Sequence, residues 1–237
     1  MGYGCRRRIG LLVPSSNTTM EPEFYRMAPE GVSVHTARMR LEEVTPEKLV
    51  EMAEEAERAA ALLATAEVDV IVYGCTTGSL VGGVEWEEAL VRRIECETGV
   101  PTLSTSRAVV EALKAVGAGR VAVATPYTDD LNRLERAFLE SHGIEVTAIK
   151  GLGLVRNVDI GRTGRPAVEE LVRSVAGGAD AVFISCTNLP TLPLIEPLEE
   201  RLRRPVVTSN QASLWAALRG CGLGGIKGYG VLLRSRL

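Results

Sequence analysis

The sequence contains little of what marks several common functional classes. Its 237 residues include only 2 histidines, and no cysteine pair has the Cys-x-x-Cys spacing of metal sites, so no metal site is expected. The 27 Lys and Arg residues are dispersed and outnumbered by 30 Asp and Glu residues, which argues against a nucleic-acid-binding footprint. No apolar run is long enough to cross a membrane, so we expect no membrane partner.

The sequence also lacks an export signal. Three arginines at residues 6–8 form the one basic run, but the apolar stretch after them stops at Pro14, which is too short for a signal peptide. We therefore expect a cytoplasmic protein with reduced cysteines, in which a disulfide between Cys75 and Cys186 is disfavoured.

A usable nucleotide-binding motif is missing as well. Residues 117–122 match the letters of a dinucleotide fingerprint, but they follow a predicted helix and precede a predicted strand, whereas the fingerprint follows a strand. We interpret them as a helix end and a tight turn. Because there is also no Gly-Lys-Ser/Thr loop, no cofactor is predicted.

Two cysteines lie in nearly identical surroundings. Cys75 lies in Asp-Val-Ile-Val-Tyr-Gly-Cys-Thr-Thr and Cys186 in Asp-Ala-Val-Phe-Ile-Ser-Cys-Thr-Asn, each directly after a predicted buried strand. Open α/β sheets bind ligands at the carboxyl ends of their strands, so we predict two functional thiols. Nearby backbone N–H groups are expected to lower their pKa values. We interpret Cys5, Cys96 and Cys221 as small buried apolar side chains.

The cysteine segments belong to a longer internal repeat. Three pairs of segments match in the same order at offsets of 112, 111 and 104 residues, namely 8–17 with 120–129, Cys75 with Cys186, and 101–106 with 205–210. A solenoid repeat is only about 20–50 residues long, so this repeat indicates a duplicated unit of half the chain.

Short runs rich in Val and Ile alternate with stretches of helical periodicity. Strands are predicted at 8–13, 32–38, 69–74, 120–125, 145–150 and 180–185. Helices are predicted at 46–65, 85–98, 104–116, 128–142 and 164–177. This alternation predicts an α/β fold of two similar lobes related by a pseudo-twofold axis, each a mainly parallel sheet flanked by helices.

Polar side chains follow the first strand of each predicted lobe. Ser16 or Asn17 is expected to cap a helix beginning near Thr18, and Asn17 could also donate to a carboxylate in the ligand crevice. The equivalent loop contributes Tyr127, whose phenol is either a hydrogen-bond donor or a lid on the pocket. Asn157 follows another predicted strand and could equally cap a turn.

Together these motifs resemble the aspartate/glutamate racemase superfamily, specifically its branch of maleate cis-trans isomerases and arylmalonate decarboxylases. The likeness spans the chain and depends on residues 10–21, 73–76, 125–127 and 185–188. Racemases of the superfamily typically carry Asp-Ser-Gly where this chain has Ser15-Ser16-Asn17, and arylmalonate decarboxylases keep only the second cysteine. Both differences favour an isomerase.

The resemblance implies a homodimeric, cofactor-independent isomerase that converts a small cis-enedioate such as maleate into its trans isomer. Cys75, expected to be the resting thiolate, adds to the alkene, and Cys186 protonates the adjacent carbon or stabilises the carbanion. The implied substrate-binding residues are Asn17, Tyr127, Asn157, Thr76, Thr187, Asn188 and Ser16.

The resemblance also implies the lobe limits. The first lobe comprises residues 1–103 and 208–237, the second comprises 104–207, and the active site lies in the crevice between them. Two alternatives stay open. One is a racemase or decarboxylase of the same superfamily, which abstracts a proton or releases carbon dioxide. The other is a non-catalytic carboxylate-binding protein with structural cysteines.

Overall fold

The computed structural model describes residues 2–226 and 228–234, and these form two four-stranded sheets. The strands are β1 (Arg7–Pro14), β2 (Val32–Met39), β3 (Val70–Tyr73), β4 (Thr102–Ser104), β5 (Arg120–Thr125), β6 (Glu145–Gly151), β7 (Ala181–Ile184) and β8 (Val206–Thr208). All six predicted strands are present. The two additional strands, β4 and β8, lie in the paired segments 101–106 and 205–210 of the repeat.

The two sheets have the same topology. The first has the order β2-β1-β3-β4 and the second β6-β5-β7-β8, and every strand pair is parallel. Ile9 of β1 pairs with Val70 of β3, as Val121 of β5 pairs with Ala181 of β7. The predicted α/β fold of two similar lobes is therefore confirmed.

Within the described residues, twelve α-helices lie between the strands and after β8. They are α1 (Met20–Met27), α2 (Pro46–Ala53), α3 (Ala56–Ala64), α4 (Thr76–Leu80), α5 (Gly83–Thr98), α6 (Thr105–Ala115), α7 (Asp129–Ser141), α8 (Asn157–Gly161), α9 (Arg165–Val175), α10 (Ile195–Leu202), α11 (Ser209–Gly220) and α12 (Val231–Arg234).

The helix predicted over residues 46–65 is divided into α2 and α3, which corrects that prediction. The Glu54 and Glu55 N–H groups donate to the carbonyls three residues earlier, at Glu51 and Met52, so the chain tightens between the two helices. The predicted start is confirmed, because the Thr45 hydroxyl caps α2 by accepting from a backbone N–H.

Helices α6 and α11 are equivalent elements of the two lobes, and they pack against each other. Helix α11 is buried from Ser209 to Leu218, so polar as well as apolar side chains face other elements. A capping box between Thr208 and Gln211 defines its start. The start of α11 is therefore held firmly beside the carboxyl ends of β3 and β7.

Two details of the sequence analysis are corrected, and one is confirmed. Cys5 and Cys96 are exposed rather than buried, whereas Cys221 is buried as expected. Residues 117–119 form the turn between α6 and β5, with Gly117 at a positive φ of 75°, as predicted. Among the described residues, no helix is both long and apolar enough to cross a membrane.

Candidate active site

The two cysteines of the repeat occupy equivalent positions at the carboxyl ends of β3 and β7. Each follows the last strand residue by two positions, and the exposed fractions are 5% for Cys75 and 7% for Cys186. The Cys75 sulfur accepts from the Gly78 N–H at 3.4 Å, and the Cys186 sulfur accepts from the Asn188 N–H at 3.4 Å. Both sulfurs therefore lie just after a strand and accept a hydrogen bond from a backbone N–H group.

The backbone at the two thiols differs. Cys75 is extended, with φ −143°, whereas Cys186 has φ 99°, a region that side chains other than glycine rarely adopt. The Cys186 N–H donates to the Ser209 hydroxyl oxygen at 3.0 Å, and the same oxygen accepts from the Thr76 hydroxyl at 2.9 Å. Ser209 at the start of α11 therefore holds both thiol segments.

The Cys75 thiol is protonated at neutral pH, which contradicts the expectation that it is the resting thiolate. Burial raises its pKa to about 12, even though the Gly78 N–H and the Thr77 hydroxyl lower it. A negative charge on Cys186 would raise the pKa of Cys75 further, so the two sulfurs interact electrostatically.

Cys186 is also a neutral thiol at rest. Burial raises its pKa to about 11, and hydrogen bonds from the Tyr127 hydroxyl and the Asn188 and Leu189 N–H groups offset only part of that effect. The negative charge of Glu135 raises it as well. The expected backbone donors are present at both thiols, but the cost of burying a thiolate outweighs them.

Asn17 lies next to the cysteine segments. Its Oδ1 accepts from the Thr19 and Met20 N–H groups at 2.9 Å each, so it satisfies the first turn of α1, which begins at Met20 rather than near Thr18. Its Nδ2 donates to the Thr187 hydroxyl at 3.0 Å, and that hydroxyl donates to the Gly74 carbonyl at 3.1 Å. One amide hydrogen of Asn17 is left for a ligand.

Asn157, Asn188 and Ser16 form a buried network. Asn188 Nδ2 donates to the Asn157 carbonyl at 2.7 Å, and its Oδ1 accepts from the Thr18 N–H at 2.8 Å. Asn157 Nδ2 donates to the Ser16 hydroxyl at 2.8 Å, and that hydroxyl donates to the Leu41 carbonyl. Both ends of the Asn188 amide are therefore engaged by the protein, whereas Asn157 keeps one amide hydrogen.

Tyr127 and two backbone groups complete the set of predicted residues. The buried Tyr127 hydroxyl is hydrogen-bonded to the Cys186 sulfur. Within the described part of the chain, the N–H groups of Thr76 and Thr187, each directly after a cysteine, have no hydrogen-bond partner. The structure thus brings all nine predicted residues together, with several donors available to an oxyanion.

The model of the arylmalonate decarboxylase family matches residues 9–233. The chain belongs to the arylmalonate decarboxylase family. The maleate isomerase of Nocardia farcinica is 35% identical to this chain, over 97% of this chain and 96% of that relative. The resemblance inferred from the sequence motifs is therefore confirmed.

Two solved maleate isomerases have the same fold as this member of the arylmalonate decarboxylase family. A cysteine-to-alanine variant from Pseudomonas putida S16 with maleate superposes with a TM-score of 0.92 at 30% identity, covering 96% of this chain and 97% of that one. A cysteine-to-serine mutant from Nocardia farcinica with a covalently bound succinylcysteine intermediate has a TM-score of 0.91 at 32% identity, covering 96% and 98%.

Sequence reasoning missed several polar groups around the thiols of this arylmalonate decarboxylase family member. The Tyr73 hydroxyl is buried with no hydrogen-bond partner in the described part of the chain, and the charge of a Cys75 thiolate raises its pKa beyond the effect of burial. Its position as the last residue of β3, two residues before Cys75, could have indicated this proximity. Glu135 accepts a hydrogen bond from the Ser185 hydroxyl. The repeat could have identified this residue, because a second glutamate, Glu23, lies 112 residues earlier, which is the offset of the first repeated segment.

The described residues of this family member lack the cluster of ligands that a metal site requires. No group of three or more His, Cys, Asp or Glu side chains among residues 2–226 and 228–234 is placed to hold a metal ion. All five cysteines are free thiols. The donors at the site are neutral amides, hydroxyls and backbone N–H groups, which suit a carboxylate ligand.

Proposed function

We propose that this protein is a cofactor-independent cis-trans isomerase that converts a small enedioate, maleate in the simplest case, into its trans isomer. One observation carries the proposal: two buried thiols lie at equivalent strand ends, each followed by a backbone N–H without a partner among the described residues. The similarity to maleate isomerases, one solved with a covalent succinylcysteine, supports it.

The substrate carboxylates are bound by neutral donors in this proposal. The N–H groups of Thr76 and Thr187, the remaining amide hydrogens of Asn17 and Asn157, and the Tyr127 hydroxyl supply them. Electron density moves into a carboxylate when a thiol adds to the alkene, so these donors stabilise the transition state. Removing one such donor typically costs about 10²–10³ in rate.

Asn188 and Ser16 have a different role in the proposal from the substrate contact that the resemblance implies. Asn188 uses both ends of its amide on protein partners, and the Ser16 hydroxyl both accepts from Asn157 and donates to a carbonyl. We assign them the task of holding Asn157 and the loop of Asn17 in position.

The chemistry proceeds by addition, rotation and elimination. The Cys75 sulfur bonds to one alkene carbon while its proton passes to a substrate carboxylate, and Cys186 delivers its proton to the adjacent carbon and becomes a thiolate. The result is a succinyl thioether on Cys75, whose former double bond now rotates freely. The Cys186 thiolate then removes a proton from the adjacent carbon, the carbon–sulfur bond breaks, the carboxyl proton returns to the Cys75 sulfur, and the trans product forms.

We further propose the lobe limits that the resemblance implied. The first lobe comprises residues 1–103 and 208–237, the second comprises 104–207, and the active site lies in the crevice between them. Hydrogen bonds from Asn17 to Thr187 and from Thr76 to Ser209 support a site shared by distant segments. We also propose a cytoplasmic homodimer, which light scattering of the purified protein would test.

Maleate turnover tests the proposed function. Purified wild type is incubated with maleate, and fumarate is followed by proton NMR, beside Cys75→Ala and Cys186→Ala. We expect both variants to lose at least about 10³ in rate, because each removes a reacting group. Cys221→Ala is the matched control, since Cys221 is also buried but lies at the end of α11 opposite Ser209. Undiminished turnover in both test variants would contradict the proposal.

Decarboxylation is the second candidate, because the family model that matches the chain is that of arylmalonate decarboxylase. A decarboxylase of this kind needs only the second thiol, to protonate the carbanion left by carbon dioxide. Release of carbon dioxide from an arylmalonate by both wild type and Cys75→Ala, but not by Cys186→Ala, would favour it. A racemase would instead exchange a substrate α-proton in heavy water, and a non-catalytic carboxylate binder would do neither.

A further inference from the structure

The buried carboxyl group of Glu135 is hydrogen-bonded to Ser185, the residue before Cys186, and has no part in the chemistry described above. Glu135, on α7, is 1% exposed, and its Oε1 accepts from the Ser185 hydroxyl at 2.5 Å. Its Oε2 is buried with no hydrogen-bond partner among the described residues. A charged carboxylate with a bare buried oxygen is costly, so this environment favours the protonated acid.

The internal repeat provides a comparison within the same molecule. Glu23 lies 112 residues before Glu135, at the equivalent position on α1, and it is also buried. Glu23 accepts from Asn210 Nδ2 at 2.7 Å and from the Thr191 and Leu192 N–H groups at 2.9 Å each. Those three N–H donors suit a carboxylate, whereas the one partner of Glu135 among the described residues is a hydroxyl that can donate or accept.

A chain of hydroxyl groups connects Glu135 to the thiol. The Ser185 Oγ lies 2.5 Å from Glu135 Oε1 and 3.5 Å from the Tyr127 hydroxyl, which is hydrogen-bonded to the Cys186 sulfur. The second distance is at the outer limit for a hydrogen bond, and such contacts often shorten when an enzyme binds its substrate. All four residues are buried, so solvent has little access to this chain.

We propose that Glu135 is the internal proton partner of Cys186, acting through the hydroxyl groups of Ser185 and Tyr127. The inference deepens the proposed function and depends on it, since there Cys186 donates a proton and becomes a thiolate. Glu135 touches no substrate atom in this role, so it is a positioning residue.

The proton transfer balances along the chain. The Glu135 proton moves to Ser185 Oγ, the Ser185 hydroxyl proton moves to the Tyr127 oxygen, and the Tyr127 proton moves to the Cys186 sulfur. Three bonds to hydrogen break and three form, and the negative charge moves from sulfur to the Glu135 carboxylate. The reverse transfer restores the starting state.

The charged surroundings of Glu135 are simple. Burial raises its pKa to about 8, and the Ser185 hydrogen bond lowers it only in part. The titratable groups that face it are Tyr127 and Cys186, whose pKa values its negative charge raises. Helix α7 packs against α4, α5 and β6, and no charged side chain of the described residues contributes to the pKa of Glu135.

Alkylation of Cys186 tests the proposal without turnover. The full chain is treated with iodoacetamide over a range of pH values, and the modification of each cysteine is located by peptide mass spectrometry. For Glu135→Gln we expect the Cys186 midpoint to fall by about one pH unit, that is about tenfold faster alkylation below the midpoint, because a nearby negative charge is removed. The midpoint for alkylation of Cys75, measured in the same molecule, should change less.

Two further variants define the result. Glu140→Gln makes the same substitution at an exposed position of α7 and should leave the Cys186 midpoint unchanged. Ser185→Ala breaks the chain and removes the hydrogen bond that favours the Glu135 charge. It should therefore speed the alkylation of Cys186 at about pH 8, where Glu135 titrates, and it replaces Glu135→Gln if that variant does not fold.

The outcomes separate this proposal from the proposed function. Cys186 alkylation that matches wild type at every pH in both Glu135→Gln and Ser185→Ala overturns the proton partnership, even in a protein that produces fumarate. A lowered midpoint in a protein that produces no fumarate supports the link between Glu135 and Cys186 and overturns the isomerase instead.

Discussion

At the scale of single residues, burial decides the protonation state of the two thiols. Cys75 and Cys186 each receive a backbone N–H, the arrangement that lowers thiol pKa values in many active sites, yet the pKa of each is raised. Within residues 2–226 and 228–234, no cationic side chain lowers the pKa of either thiol, so desolvation is the larger effect. The reactive thiolate must therefore form only as the substrate reacts.

The pH dependence of thiol reactivity follows from these raised pKa values. Alkylation of Cys75 and Cys186 should still be rising at about pH 10, because the thiolate fraction grows about tenfold per pH unit below the pKa. The measurement is the iodoacetamide rate at each cysteine, with the urea-unfolded protein as control. A plateau below about pH 8.5 in the folded protein, the ordinary thiol range, would contradict the prediction.

Gly78 leaves room for the Cys75 sulfur. A methyl group at this position would lie 3.0 Å from Cys75 Sγ, 3.1 Å from the Tyr73 hydroxyl and 2.9 Å from Met52 Cε. We expect Gly78→Ala to displace the sulfur and to destabilise the fold by about 1–3 kcal/mol. The readouts are maleate turnover and urea denaturation. Gly220→Ala, on α11 with open space around it, should keep wild-type turnover.

At the scale of elements, short segments at strand ends bring the site together. Cys75 caps α4, Asn157 is the first residue of α8, and Ser209 is the first residue of α11. Each residue therefore lies where a helix begins and backbone N–H groups are free of intrahelical partners. This explains why a site with no cationic residue among its predicted members can still offer donors to a dianion.

We expect Ser209 to be more important for the position and reactivity of Cys186 than for the stability of the fold. Ser209→Ala removes the acceptor of the Cys186 N–H, which helps to hold Cys186 at φ 99°. Ser213→Ala, on the same helix, removes a buried hydroxyl that bonds to Thr105. We expect both to cost about 1–3 kcal/mol in the free energy of unfolding, and only Ser209→Ala to slow maleate turnover. Equal turnover in the two variants would contradict the assigned role.

At the scale of the whole molecule, buried carboxyl groups connect distant segments. Glu23 of α1 accepts from backbone groups of residues 191 and 192 and from Asn210 of α11, and Glu199 of α10 accepts from the Val206 and Val231 N–H groups. Burial raises the pKa values of both carboxyls. The global stability of the protein should therefore respond to their protonation.

Stability should fall as the pH rises from about 5 to about 9. The pKa of Glu135 is raised from 4.5 to about 8, so the folded state holds its proton more tightly than the unfolded state. The stability that this proton contributes is complete below pH 4.5 and is lost as the pH rises through about 8. Urea denaturation at several pH values measures the slope. The decrease in unfolding free energy with pH should be smaller in Glu135→Gln and unchanged in Glu140→Gln. A wild-type protein that is more stable at about pH 8 than at about pH 5 would refute the prediction.

The sequence by itself determined the fold class, the six longer strands and the positions of both thiols. These depend on local properties of the sequence. Apolar runs that alternate with stretches of helical periodicity predict the strands and helices, and the internal repeat predicts that the two halves have the same topology. Strands β4 and β8 have only three residues each, too few for a periodicity, and they were visible only as matched repeat segments.

Only the tertiary structure decided the chemistry around those thiols. The protonation of Cys75, the engaged amide of Asn188 and the position of Glu135 behind Cys186 depend on residues far apart in the chain. A pKa is set by the balance between desolvation and the donors that surround a group, and neither quantity can be read from neighbours in sequence. The folded chain supplies both by burying the two sulfurs just after β3 and β7.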